Sequence, residues 1–584
     1  MELILFNKFK YLDQKKLPSE KKLIYLAEWC LNKDYLFNKH KKNILVQNNK
    51  SNKFKNNYSE IYKIYSKFLN SLCNALNNFH NLKLSQRRWE ILIGRWLWLY
   101  LDSIKFRWDL VDLIQKKKYK KIYSLDILKK KLITLSSQDI ATLSQNSEIW
   151  NIGILNEIIL FRKIKNLHLE PNYKVNKDKF FKRNQATLNY LKYMRLNKVN
   201  KKLFLYNLDL SRNEKLQILL KNHQFPALSK NKNNIISSKT NDVQRSRFKK
   251  LFKFKNRKNN MLAFMYNLLP NVFPGIYLEH YKNLDEISYK NNWPKNPKLI
   301  LSSFGHYVDE IFKFYLSRSV SQGSKYLIFQ HGAAGMYKNH IGQFFEERIC
   351  DYYFTWGWKK SKKNIPFSFT KKNCINKEKQ ILKKKNILIL IYQMPLMPIK
   401  SAYGNSNFPI LNKYYGEFLI NFLGSVNPKI RKNIFLKTLS WYKPFVQLDT
   451  IKKKFKEIKI LNSTKKVHEM SNDYYLIIET YLSTAFLESM HQNKPTIILL
   501  DKKMTNLDLD AEKLFNKLKN VNICFTNLKK AALFISNNKL NLEKWWKSDK
   551  LQEIRREFCN KYARNTENRI NLLLNKLNKI IYEK

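Results

Sequence analysis

His331 is the residue whose neighbours best suit it for chemistry. It follows the β-prone run Tyr326-Leu-Ile-Phe-Gln330 and precedes Gly332-Ala-Ala-Gly335. A histidine at such a strand end can act as a general base, or balance a diphosphate when protonated. It can equally be an ordinary loop residue. The chain has 12 glycines in 584 residues, and two of them fall beside this histidine. Each should answer a backbone need, either positive φ or the close approach of a ligand. Glu346 is the nearest candidate carboxylate, able to orient His331 or to serve as the base itself.

A second group lies at Ser483 and Thr484, at an expected helix start, with Glu488 about a turn inside. A helix N-terminus has unpaired N–H groups and partial positive charge, so it accepts phosphate. The two hydroxyls can add donors, and Glu488 can reach a ribose hydroxyl. Plain helix capping explains the same residues. Arg88 and Arg95 are the third group. They sit in the apolar segment Gln86–Tyr100, where an unpaired buried guanidinium is costly. Arg95 therefore pairs with a carboxylate such as Asp102 or Asp109, or faces an anionic ligand. No Walker loop, HExxH or GxSxG is present, which excludes the corresponding nucleotide hydrolysis, zincin proteolysis and serine hydrolysis. A metal requirement is not indicated, and no cofactor is expected.

These groups need elements to position them. From about residue 270, short apolar runs alternate with helical stretches, the pattern of βα units. Lys298–Gly305 reads as a strand and small-residue loop, His306–Ser319 as a helix, and Tyr326–Phe329 as the next strand. Cys350–Trp358 reads as a further strand ending at an aromatic-glycine turn. Residues 359–385 are Lys-rich and non-periodic. They divide an N-terminal domain, 1–358, from a C-terminal domain, 386–584. The second begins with a strand at Ile387–Tyr392 and repeats the strand–loop–helix form at Tyr475–Met490. Upstream, residues 54–225 are mainly helical, and a basic linker spans 226–260. The fold class is α/β: two Rossmann-type domains facing a cleft, with a helical N-terminal portion. His331 belongs to the first domain and Ser483 to the second.

Bulk composition narrows the class. Apolar content is 44% and aromatic content 14%, as packed domains require. Lys and Arg number 110 against 45 Asp and Glu, a net charge of +65. A polyanion or an anionic membrane could select that charge. The lysines are spread along the whole chain, however, whereas a nucleic-acid footprint should cluster. The basic cluster Arg245–Lys258 is the best candidate for an anionic lipid surface. Six cysteines without CxxC spacing suit a reducing compartment. No apolar run reaches the ~20 residues of a membrane span. A cytoplasmic protein is expected, one able to rest on the inner face of the membrane.

Read together, several blocks resemble one family. They are Glu28-Trp-Cys-Leu31, Arg88–Leu97, Phe329-Gln-His-Gly332 with Gly335, Thr355-Trp-Gly-Trp358, Thr484–Glu488 with Asn493–Ile497, and Trp545-Trp546. In this order they resemble the LIC12162-type transferases. That resemblance implies surface-polysaccharide biosynthesis and a GT-B-like fold. It implies a nucleotide-activated sugar as donor and a surface glycan or lipid-linked saccharide as acceptor, with no specific nucleic acid. Relatives carry Gly-Gly where this chain has Ala333-Ala334. The strand-Gln-His-Gly form is also similar, more remotely, to enzymes that transfer glycerol phosphate from CDP-glycerol. The expected function is therefore a glycosyltransferase-like transfer. CDP-alcohol phosphotransfer and a non-enzymatic anion- or RNA-binding role are the alternatives.

Overall fold

A computed structural model gives the fold. It describes residues 1–7, 22–31, 40–46, 58–171, 185–188, 194–196, 202–224, 226–228, 234–237, 240–252, 260–291, 293–338, 340–371, 386–392, 411–438, 448–461, 463–501, 504–538 and 541–582. Its framework is three parallel sheets. The first contains β1 (Glu2–Ile4), β2 (Leu23–Tyr25), β3 (Lys121–Leu125) and β4 (Leu167–Glu170), in the order β2-β1-β3-β4. The second contains β5 (Leu203–Leu205), β6 (Leu299–Ser302), β7 (Lys325–Phe329), β8 (Tyr352–Thr355) and β9 (Asn364–Pro366), in the order β9-β8-β7-β6-β5. The third contains β10 (Ile387–Leu390), β11 (Ile434–Lys437), β12 (Lys459–Leu461), β13 (Leu476–Glu479), β14 (Thr496–Leu499) and β15 (Cys524–Phe525), in the order β12-β11-β10-β13-β14-β15.

The two expected Rossmann-type sheets are the second and third. Their central strands are apolar throughout because helices cover both faces of a parallel sheet. Tyr326, Leu327, Ile328 and Phe329 are all buried, as are Leu476, Ile477 and Ile478. In the third sheet the chain leaves β10 toward β11, then returns on the other side as β13. The carboxyl ends of β10 and β13 therefore border the crevice where open α/β sheets hold ligands. The second sheet runs from β5 to β9 without reversal, so its site must come from neighbouring strand ends and the helices above them.

The N-terminal portion is helical, as expected, and adds a sheet of its own. Strands of three to five residues are too short to show a clear period, which is why only fragments of that sheet were legible. Its helices are dominated by α1 (Tyr58–His80) and α2 (Gln86–Gln115). Ser85 caps α2, accepting a hydrogen bond from Arg88 N at 3.3 Å. α2 is buried nearly all round because it lies between α1 and α3 (Glu310–Ser321). Lys313 of α3 pairs with Glu310 at 2.7 Å and donates to the Leu92 carbonyl of α2 at 2.9 Å. A buried lysine needs partners of this kind, and here they fix the helical layer over the second sheet.

The boundary near residue 358 is less sharp than the composition suggests. The second sheet continues through β9, whose three residues, Asn-Ile-Pro, are too few to stand out from a polar stretch. Residues 372–385 lie outside the described residues. Two C-terminal helices, α6 (Asp549–Tyr562) and α7 (Arg569–Tyr582), also return to the second sheet. Arg564 N donates to the Trp356 carbonyl at 2.9 Å, and Lys325 Nζ to that of Ile580 at 2.9 Å. One apolar core runs from β7 and β8 through Trp356 and Trp358 into these helices and on to Phe486 of the C-terminal half. Among the described residues, no helix is long and apolar enough to cross a membrane.

The basic stretch after residue 226 contains a helix, Asp242–Leu251. Arg245 is turned inward, paired with Glu279 at 2.7 Å, and Arg247 packs over the Phe79 ring at 5.4 Å. Arg245 thus does not contribute to an exposed basic face. Lys253, Lys255, Arg257 and Lys258 lie outside the described residues.

Candidate active site

His331 and Glu346 come together. His331 follows β7, and Glu346 lies in α4 (Ile341–Ile349), the helix that crosses over to β8. His331 Nδ1 is 3.2 Å from Glu346 Oε1. His306, in the short helical turn after β6, presents Nε2 to the same oxygen at 3.4 Å. One carboxylate oxygen thus faces two imidazole nitrogens. The other oxygen, Oε2, accepts from Tyr353 Oη at 2.9 Å. Tyr307 also faces the carboxylate.

Glu346 is 1% exposed. Burial alone would push its carboxyl up, but the two histidines overcome that and hold it well below the ordinary range. It is a buried carboxylate kept ionised by imidazoles. His331 is only partly covered, with 27% of its side chain exposed. Its Nδ1 is closed off against Glu346, whereas Nε2 is not among the buried unpaired atoms. Phe304, 38% exposed, sets its ring against that of His331 at 4.9 Å in a T-shaped contact.

The loop owes its shape to Gln330, which is fully buried. Its side-chain oxygen accepts from Trp356 N and from Trp358 Nε1, each at 2.8 Å. Its amide nitrogen donates to the Gly332 carbonyl at 2.8 Å. The Gln-His-Gly and Trp-Gly-Trp blocks are therefore one structural unit. Gly335 meets the backbone need read from the sequence: φ is +82° and a Cβ would lie 2.4 Å from the Trp358 ring. Gly332 does not. A Cβ there would meet nothing within 4 Å, and its φ is not positive. The chain itself gives no reason for that glycine, and the space beside it is open. Further along, Gly335 N donates to Gln343 Oε1 at 3.1 Å, and His340 caps α4, its Nδ1 accepting from Gln343 N at 3.1 Å.

Arg95 joins this cluster. Asp109 is taken by Lys105 at 2.6 Å, and no carboxylate lies within ion-pair distance of Arg95 among the described residues. Its guanidinium donates to the Tyr307 carbonyl, reaches Gln138 Oε1 at 3.2 Å, and lies over the Tyr307 ring at 4.6 Å. Arg88 is elsewhere, in the field of Tyr281, Asp285 and Arg318, with its Nε buried and unpartnered.

The C-terminal half meets this loop directly. Tyr337 Oη donates to the Leu482 carbonyl at 2.6 Å, and Asp508 N donates to the Met336 carbonyl at 2.9 Å. Leu482 immediately precedes Ser483, which caps α5 (Thr484–His491) by accepting from Phe486 N at 3.2 Å. Ser483 Oγ also donates to Glu479 Oε2 at 3.1 Å. Glu479 is fully buried, and burial pushes its carboxyl well up. The Thr484 hydroxyl has no partner among the described residues. Glu488 meets His468 Nδ1 at 3.2 Å. The structure thus brings His331, Glu346 and Arg95 together and sets the start of α5 across the interdomain contact from Gly332 and Gly335.

His306, Tyr307 and Tyr353 were not singled out from the sequence. A usable signal was present: Ser302-Ser-Phe-Gly-His306 repeats the strand, glycine and histidine form of the next strand, and parallel neighbours end at the same edge. The sequence also contains an Asp-x-Asp triplet, Asp508-Leu509-Asp510, a spacing able to hold a divalent cation. Its carboxylates are engaged with Lys360 at 3.1 Å and Lys561 at 2.8 Å. Among the described residues, no group of three or more His, Cys, Asp or Glu is arranged to hold a metal ion.

No curated protein matches the chain. Among solved structures it is similar to the Thermobaculum terrenum O-GlcNAc transferase, with 10% identity over 88% of this chain and 98% of that one, at a TM-score of 0.32. It is similar to TarM, with 12% identity over 49% and 55%, at a TM-score of 0.32. It is also similar to the wall teichoic acid polymerase TagF, with 9–11% identity over 56% of this chain and 75–77% of that one, at a TM-score of 0.26. The match spans about half the length of TarM. Scores this low carry no argument, and the architecture rests on the strand orders above. A sequence model of the LIC12162 family transferases matches residues 12–577, nearly the whole chain. The chain belongs to the LIC12162 family of transferases.

Proposed function

We propose that this chain moves a sugar from a nucleotide-activated donor to a surface glycan or lipid-linked saccharide, as a GT-B-like glycosyltransferase. Membership of a transferase family supports group transfer. The observation that carries the site assignment is the 3.2 Å contact between His331 Nδ1 and Glu346 Oε1. With Nδ1–H held toward the carboxylate, Nε2 keeps a lone pair for the acceptor. The acceptor oxygen bonds to the anomeric carbon, the bond from that carbon to the nucleoside diphosphate breaks, and the acceptor's proton passes to Nε2. The resulting imidazolium is balanced by Glu346.

Phe304 offers an aromatic face beside the base, suited to the C–H face of an acceptor sugar. Arg95, without a carboxylate partner, is an anion contact on the same side. The donor lies at the start of α5, where Ser483 and Thr484 border the diphosphate and Glu488 the ribose, with Gly332 and Gly335 opposite. Phosphoalcohol transfer from a CDP-linked donor would use the same base, so donor identity separates the two readings. Thermal-shift screening of the full chain against UDP-, GDP-, CMP- and CDP-linked donors makes that separation, because ligand bound only to the native state raises its melting point. A shift with nucleotide sugars supports sugar transfer. A shift confined to CDP-glycerol moves the assignment to phosphoalcohol transfer.

A further inference from the structure

His306 is wholly buried, makes no contact with open space, and is not used by the reaction just described. Its surroundings are nevertheless specific. Its Nδ1 is 2.8 Å from Tyr326 Oη of β7. Its Nε2 faces the Glu346 oxygen that also faces His331. Glu346 is ionised and can only accept, so the His306 nitrogen that faces it, Nε2, carries the proton. His306 Nδ1 is then the acceptor, and the Tyr326 hydroxyl points its proton at it. The order of donors, Tyr326 to His306 to Glu346, follows from the carboxylate end.

We propose that His306 is a positioning residue for His331: a neutral imidazole whose Nε2–H is donated to the shared Glu346 oxygen, so that the proton taken from substrate resides on His331 alone. The inference rests on the reading of His331 as the base. One carboxylate cannot balance two imidazolium ions in a buried site. Burial, the neighbouring His331 and Arg95 of α2 all disfavour a charge on His306, and only Glu346 of α4 opposes them. The remaining neighbours, Tyr326, Tyr307 and the Phe345 ring, carry no charge there. His331, unlike His306, is partly exposed, so it is the imidazole a substrate can reach.

The test is nuclear magnetic resonance of the full chain labelled with ¹⁵N and ¹³C at its histidines. At neutral pH the His306 signal should show the neutral Nε2–H tautomer, and that of His331 the neutral Nδ1–H tautomer. A His306 signal protonated at Nδ1, or at both nitrogens, overturns the inference and leaves the His331 reading standing. A His331 signal protonated at Nε2 overturns the base assignment instead. Two variants give a second reading. His306→Leu ends the competition for one carboxylate oxygen and should move the His331 Nδ1–H proton resonance downfield, as that hydrogen bond to Glu346 strengthens, while His306→Gln, which keeps an N–H donor, should leave it near the native position. Equal Nδ1–H resonances in all three proteins would overturn the proposal.

Discussion

His331 Nδ1 and Glu346 Oε1 lie 3.2 Å apart although they come from the two ends of one crossover, the end of β7 and the helix leading into β8. A carboxylate in that place can fix which imidazole nitrogen bears the proton. Its removal should therefore cost more in turnover than in binding. In Glu346→Gln, kcat should fall by about 10²–10⁴ with little change in KM. A rise in KM at constant kcat would mean that Glu346 only shapes the pocket.

The same carboxyl makes a stability prediction. Its folded value is held below the unfolded value, so its contribution is present above about pH 4.3 and is lost as pH falls further. Thermal melts of the wild type and Glu346→Gln should differ most near pH 7, and the gap should narrow below about pH 4. A gap constant from neutral to acid pH would contradict the ionised, histidine-held carboxylate.

His340 titrates in a separate window. Burial pushes it down from 6.5 to about 4, and the field of His331 and Lys360 adds to that against Glu346. A histidine with a depressed folded value stabilises above its unfolded value, and the contribution is lost as pH falls from 6.5 toward 4. His340→Asn keeps a cap for α4. Its melting point should decline less than the wild type's across that interval. An identical decline would place the acid sensitivity elsewhere, for example at His80, which burial also depresses to about 4.

The two glycines of the loop should behave oppositely. Gly335→Ala forces a Cβ into Trp358 at positive φ and should destabilise by about 2–4 kcal/mol. Gly332→Ala has room and should change the melting point little. It should instead weaken donor binding, read as a smaller thermal shift. Full donor binding in Gly332→Ala would remove the donor from that side of the cleft.

Strand-scale features were readable because parallel strands buried on both faces are apolar runs, and the ends of those runs carried His331 and Ser483. What was not readable depends on distant contacts. Arg95 had two acidic neighbours in sequence, Asp102 and Asp109, yet it points to Tyr307, because Lys105 one turn from Asp109 takes that carboxylate. Gln330 read as part of a polar break, yet it is the buried clamp that joins the histidine loop to Trp356 and Trp358. His306 was legible only as the start of a helix, since its meaning comes from Glu346 in a later crossover. The return of α6 and α7 to the second sheet follows from apolar faces that have no partner until the whole chain is folded.

The account stands most directly on His331. Once thermal shift has identified a donor, transfer should be followed in His331→Ala under saturating donor. The account predicts a loss of about 10²–10⁴ in turnover, with the melting point and the donor-induced shift retained, because the side chain is partly exposed and the donor lies at α5. Unchanged turnover in a folded, donor-binding His331→Ala protein would contradict it.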